Sequence, residues 1–219
     1  MLLACKIEAP EQMGAAAGRA GVALLPLLLQ LHLLRRALES TLLSSYSRGA
    51  RMHVIGYVAG LSYYLATPLT LVLLPAEDSA GARAHSTPPE GHWALRWRLR
   101  HAVGVLLYAV ATFQQHRAHR ILASLRWSQE GATSGAPREY SIPRGGWFRF
   151  VSCPHYLAEI LLYVGLLCVH GGRGPHVWLL LIWVVSNLSI AARANHEWYK
   201  STFGAAYPSE RCALLPGLL

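Results

Sequence analysis

Apolar residues gather into five runs along the chain, separated by segments rich in arginine, glycine, proline and small polar residues. The first run, Val22–Leu34 (VALLPLLLQLHLL), is interrupted by Pro26 and stops at Arg35 and Arg36. The second, Met52–Pro75, carries no Asp, Glu, Lys or Arg. As a helix it is long enough to cross a hydrocarbon layer of roughly 30 Å, which makes it the firmest expected span. The third, Ala102–Gln115, reads as continuing in a polar-faced helix to Leu125. The fourth, Tyr156–Val169, contains Glu159, and the fifth is Val177–Ala192. Several runs fall short of the roughly 17–25 residues of an isolated span. A bundle explains this, because helices that shield one another can carry polar residues inward and extend beyond their apolar cores. The expected fold class is all-α, a multi-span transmembrane bundle of about five to six helices.

Composition sharpens that reading. Charged residues are 14% of the 219 and hydrophobic residues 53%, whereas a soluble domain carries about 25% charged residues. A soluble helical protein with buried core helices is the competing reading. The uncharged second run and the tryptophans near the run ends (Trp97, Trp147, Trp178, Trp198) favour a lipid bilayer as partner. The balance of 20 Lys/Arg against 11 Asp/Glu suits anionic headgroups or a phosphorylated ligand. Nucleic acid is not expected, because the basic residues punctuate apolar runs and form no dense tract. No obligate protein partner is evident. If all five runs cross, 13 of the 20 Lys/Arg fall on one side, which is then the cytosolic one.

Cys5, Cys153, Cys168 and Cys212 are widely separated and suggest neither a disulfide framework nor a zinc knuckle. Of the 11 histidines, only His116 and His119 stand at a ligand spacing, with no thiolate or carboxylate near in sequence, so no metal is expected. Residues 1–21 are Ala/Gly-rich and lack the basic start and long apolar core of a signal peptide. They are expected to be a flexible or alternative N-terminus, with an earlier span possible upstream.

The polar residues that interrupt the late runs are the candidates for chemistry. Glu159 lies inside an apolar helix, where a carboxylate at mid-membrane costs about 2.5–3.5 kcal/mol and normally faces a cavity or a partner. His155, four residues earlier, shares its face. Arg193, His196 and Tyr199 recur every three residues, and Gln115, His119 and Arg126 at spacings of four and seven. Three helix ends on one side of the bundle therefore offer donors for a dinucleotide: arginines for phosphates, amide and carboxylate groups for ribose and nicotinamide. Taken alone, each arginine is better accounted for as a headgroup anchor; the pocket reading rests on the three helix ends together. No G-x-G-x-x-G follows a strand, so a Rossmann site is not supported.

At this point the C-terminal half resembles the steroid 5α-reductase family, within it the polyprenol (polyprenal) reductase branch. The residues that carry the resemblance are Tyr140–Phe148 (YSIPRGGWF), Val151–Glu159 (VSCPHYLAE), His196–Tyr199 (HEWY), Phe203, Tyr207-Pro208, Arg211 and Ala213–Pro216. Upstream, Gln30–Arg36 and Gly60–Tyr64 resemble the branch's Q-x-H-x-x-R-R and G-x-x-Y-Y segments. Pro154-His155 stands where steroid-reducing relatives show Ala-Asn, which favours the polyprenoid branch.

The resemblance implies an NADPH pocket at the cytosolic side and a place in the endoplasmic reticulum membrane, with multiple spans. Matching positions for the cofactor are Gln115, His119, Arg126, Tyr140, His155, Glu159, Arg193, Asn195, His196, Tyr199 and Arg211. Residues 22–101 would form the substrate side and 102–219 the cofactor region. The implied activity is reduction of the α-isoprene double bond of a polyprenal or polyprenol lipid, feeding dolichol synthesis and protein N-glycosylation. Tyr64 matches the tyrosine that holds the substrate carbonyl. The glutamate that pairs with it in steroid reducers has no equivalent, since Glu8, Glu11 and Glu39 stand in other contexts. The alternatives are a 3-oxo-5α-steroid 4-dehydrogenase, an S-adenosylmethionine-dependent membrane methyltransferase, and an inactive truncated variant.

Overall fold

The computed structural model describes residues 10–43, 54–70, 92–130, 140–172 and 175–215. They form five helices: α1 (Pro10–Leu42), α2 (Val54–Pro68), α3 (His92–Glu130), α4 (Pro154–His170) and α5 (Pro175–Phe203). Short 3-10 turns cover Gly146–Arg149 and Gly204–Ala206. Among the described residues the extended pairing is one parallel bridge, Val151 to Cys212, which ties the segment before α4 to the C-terminal segment.

The first, third, fourth and fifth apolar runs fall within helices, and three of those helices extend well beyond their runs. Pro26 lies inside α1 and does not end it. Proline is tolerated in long apolar helices where neighbouring elements re-satisfy the freed backbone groups. α4 begins with Pro154 at its first position, where a missing N–H costs nothing. It ends at Gly171, in left-handed conformation (φ 94°), whose N–H donates to the Leu167 carbonyl at 2.8 Å.

The tightest packing is between α3 and α4. Gly104, Tyr108, Ala111, Gln115 and Ala118 line the buried face of α3, at alternating spacings of four and three. Ala158, Leu162, Gly165, Leu166 and Val169 line that of α4. The backbones come closest at two glycines: a Cβ on Gly165 would stand 2.8 Å from the Gly104 carbonyl oxygen and 2.9 Å from the Tyr108 nitrogen. α1 adds Leu25, Leu28 and Leu29 to the same core. It is tied to α3 where the Tyr108 hydroxyl donates to the Leu28 carbonyl at 2.8 Å.

Among the described residues one helix, Pro175–Ala206, is long and apolar enough to cross a membrane by length and composition. α4 is apolar but shorter. The firmest span expected from the sequence, Met52–Pro75, lies partly outside the described residues, with α2 ending at Pro68. The outward faces of α1, α3 and α5 nonetheless present large apolar side chains, among them Leu34, Leu106, Phe113, Leu179 and Ile190.

Candidate functional site

The core of α1, α3 and α4 is apolar at one end and polar at the other. On α1 the stripe Leu25, Leu28, Leu29 continues as His32, Arg35, Arg36 and Glu39, all within one helix face. On α3 Tyr108 and Ala111 give way to Gln115, His116 and His119, and on α4 Leu162 gives way to Glu159 and His155. The three stripes meet, so the polar ends meet.

Glu159 and Gln115 form the centre. Glu159 Oε1 lies 3.2 Å from His32 Nε2. The Gln115 amide Nε2 donates to the other Glu159 oxygen, and to the His155 carbonyl at 3.3 Å. Arg35 donates to the Gln115 side-chain oxygen, which fixes which way round the amide sits. Arg35 also donates to Glu39 Oε1 at 2.6 Å. Glu39 is 4% exposed yet collects four partners: Arg36 donates to Oε2 at 3.1 Å, His119 Nδ1 lies 2.6 Å from Oε2, and His116 Nδ1 lies 2.8 Å from Oε1. A buried carboxylate, Glu39, and a largely buried one, Glu159, thus stand opposite two arginines and three histidines. Removing one member would strand the others, which is what makes such a network rigid.

His155 closes the centre. Its ring packs 4.2 Å from Tyr156 and 5.7 Å from His119, and its Nδ1 is buried with no hydrogen-bond partner. On the apolar side, Tyr163 sets its ring edge-on to His32 at 6.3 Å and meets Tyr63 of α2 at 6.0 Å.

A second polar cluster lies alongside, where α5 and the C-terminal segment meet the start of α4. The Ser152 hydroxyl lies 2.6 Å from His196 Nδ1 and 2.5 Å from the Tyr207 hydroxyl. The Tyr207 ring stacks on Tyr199 at 5.4 Å and lies 5.4 Å beneath the Arg211 guanidinium. Arg211, itself buried, donates to the Pro143 carbonyl at 2.9 Å and so pins the loop before α4. Asn195 donates to the Tyr156 hydroxyl at 3.4 Å, which joins this cluster to the first. Burial pushes the Cys153 thiol up to about 11, against a weaker opposing pull from Asn195, so it stays protonated at neutral pH.

A family profile described as 3-oxo-5-alpha-steroid 4-dehydrogenase matches residues 79–219, more than half of the chain. The chain belongs to this family. It is 39% identical to polyprenal reductase 1 of Arabidopsis thaliana over 211 residues, covering 87% of this chain and 62% of the relative. It is 37% identical to the polyprenal reductase of Xenopus tropicalis over 189 residues, covering 86% and 58%. With the polyprenal reductase of Danio rerio the identity is 36% over 200 residues, covering 90% and 60%. The chain spans between 57% and 63% of the length of the curated relatives it matches.

Ten of the residues singled out from the sequence fall into three groups. Gln115, His119, His155 and Glu159 come together in the first centre, and Asn195, His196, Tyr199 and Arg211 in the second cluster. Tyr140 and Arg193 are exposed at the edge, Tyr140 edge-on to Trp198 at 5.1 Å. Arg126 lies on α3, with its side chain outside the described residues. Tyr64 is 46% exposed and turns its ring edge towards Tyr63 at 5.8 Å. Its neighbour Tyr63 is the one that reaches Tyr163 and the centre beyond.

Sequence reasoning missed His32, Arg35, Arg36, Glu39 and His116 as members of the site, and Ser152 and Tyr207 as partners of His196. The α1 set precedes the matched residues 79–219. Its signal was the helical spacing of His32, Arg35, Arg36 and Glu39 along one face, legible once that face is known to turn inward.

Proposed function

We propose that this chain carries the cofactor and reaction centre of an NADPH-dependent polyprenal reductase, embedded with several spans in the endoplasmic reticulum membrane and opening its pocket to the cytosol. The observation that supports it best is the meeting of Gln115, His119, His155 and Glu159 at the polar end of one helix core, in a chain similar to several polyprenal reductases. The apolar outer faces of α1, α3 and α5 support a setting in lipid.

The donor set fits a cofactor that brings an amide, hydroxyls and phosphates. His155 Nδ1 and Arg211 Nε are buried and without hydrogen-bond partners, polar groups that a ligand can satisfy. In this reading Gln115, His119, His155 and Glu159 hold the nicotinamide end, Asn195, His196 and Tyr199 flank it, and Tyr140, Arg126, Arg193 and Arg211 serve the phosphate side. When bound, NADPH supplies a hydride.

An isolated alkene resists hydride, whereas one conjugated to an aldehyde accepts it at the β carbon as charge moves to the carbonyl oxygen. A hydrogen-bond donor must meet that oxygen. Tyr64 is the donor proposed from the resemblance, and its phenol can then pass a proton towards the α carbon. The network around Glu159 keeps the centre ordered.

Membranes containing the full chain, given polyprenal and NADPH, should yield the α-saturated aldehyde. No such product, with a 3-oxo-4-ene steroid reduced instead, would move the chain to the family's steroid-reducing side. Failure with both would favour the inactive variant.

A further inference from the structure

The residues expected to hold the cofactor are themselves held by one carboxylate that the sequence left without a role. We propose that Glu39 is a positioning residue of the reduction centre, acting through Arg35 on Gln115 and directly on His119. This inference rests on the NADPH reading of the site.

Glu39 is 4% exposed, and both of its oxygens are occupied from two helices. Oε1 holds Arg35 at 2.6 Å and His116 at 2.8 Å; Oε2 holds Arg36 at 3.1 Å and His119 at 2.6 Å. The planar fork of Arg35 turns one nitrogen to Glu39 and the other to the Gln115 oxygen. A glutamine amide can sit either way round. With its oxygen on Arg35, its nitrogen must face Glu159 and the His155 carbonyl. Glu39 therefore holds in place the arginine that meets the Gln115 oxygen.

The same carboxylate governs His119. Arg36 lies 3.1 Å from His119 Nδ1, so without Glu39 a cation and an imidazole would stand together with no anion between them. Glu39 holds the Nδ1 edge of the His119 ring, and that ring lies 5.7 Å from His155 between centroids. The specific consequence is orientation of the groups that meet the cofactor.

The test uses the full chain in lipid nanodiscs, with Glu39→Gln, Glu39→Asp and Arg35→Lys. Glu39→Gln keeps the shape and removes the charge. Arg35→Lys keeps the charge but cannot reach Glu39 and Gln115 at once. Both should raise the KM for NADPH by about tenfold or more, the size of a lost charge-assisted hydrogen bond. The KM for polyprenal should stay within about twofold, because no substrate contact is changed. Glu39→Asp should recover part of the loss.

The NADPH-dependent rise in Tm, measured without substrate, should shrink in the same order. Unchanged NADPH affinity in both Glu39→Gln and Arg35→Lys would overturn the proposal, as would a rise in the polyprenal KM alone. If Glu39→Gln does not fold, Arg35→Lys decides. A wild-type chain that binds NADPH but reduces no polyprenal would sink the substrate reading and leave this inference to the Tm measurement. A wild-type chain that does not bind NADPH would sink both.

Discussion

Glu159 sits among leucines, and what keeps it there is its partners. Its carboxylate is 13% exposed and meets His32 and Gln115 from two other helices. Replacing it by leucine would leave the buried His32 and Gln115 nitrogens facing apolar surface. The expected cost is about 3 kcal/mol or more of stability, read as a fall in the unfolding temperature in detergent. An unchanged temperature would show that the pair is not closed in solution. Two adjoining tyrosines provide a second residue-scale test. Tyr63 packs towards Tyr163, while Tyr64 is half-exposed beside it. If Tyr64 meets the substrate carbonyl, Tyr64→Phe should lower kcat by about 10²-fold or more and leave cofactor binding intact. Tyr63→Phe showing that loss instead would move the donor one residue inward.

At the scale of elements, the α3–α4 contact decides where the site residues lie relative to one another. Gly104 and Gly165 let two backbones touch, and Gln115 and Glu159 lie farther along those same helices, towards the polar end. A side chain at Gly165 would meet backbone atoms, which cannot move out of the way as a flexible side chain can. Gly165→Val should therefore cost about 1–3 kcal/mol and loosen the Gln115–Glu159 contact. Gly60 on α2 is the control. Nothing lies within 4 Å of a Cβ built there, so Gly60→Ala should be neutral or stabilising by up to about 1 kcal/mol. Equal effects of the two substitutions, read by thermal unfolding, would deny the close contact its role.

For the molecule as a whole, the prediction concerns which helices cross a membrane. α5 passes on length and composition. α3 is longer but mixed, with Arg98 and Arg117 flanking its apolar centre. Those two residues are about 28 Å apart along an ideal helix, close to the thickness of a hydrocarbon core. Single cysteines at Arg117 and Lys200, with the native cysteines replaced by serine, should react with an impermeant maleimide in sealed microsomes. A cysteine at Arg98 should react after permeabilisation only. Labelling at both Arg98 and Arg117 in sealed vesicles would mean that α3 does not cross and would count against the proposed cytosolic pocket.

The sequence by itself determined that the chain is helical, that much of its surface is apolar, and which late residues interrupt the apolar runs. Those properties follow from local spacing and composition, so Gln115, His119, His155, Glu159 and His196 could all be singled out before any fold was known. Only the tertiary structure decided that α1 brings Glu39 against His119 and Arg35 against Gln115. Those partners are about 80 positions apart in the chain. Helical spacing states which residues share a face; it does not state which face of another helix they meet. Glu39 illustrates the gap. On its own helix it looks like one more charge near an end, and its part in the site arises only where the α1 and α3 stripes close on each other.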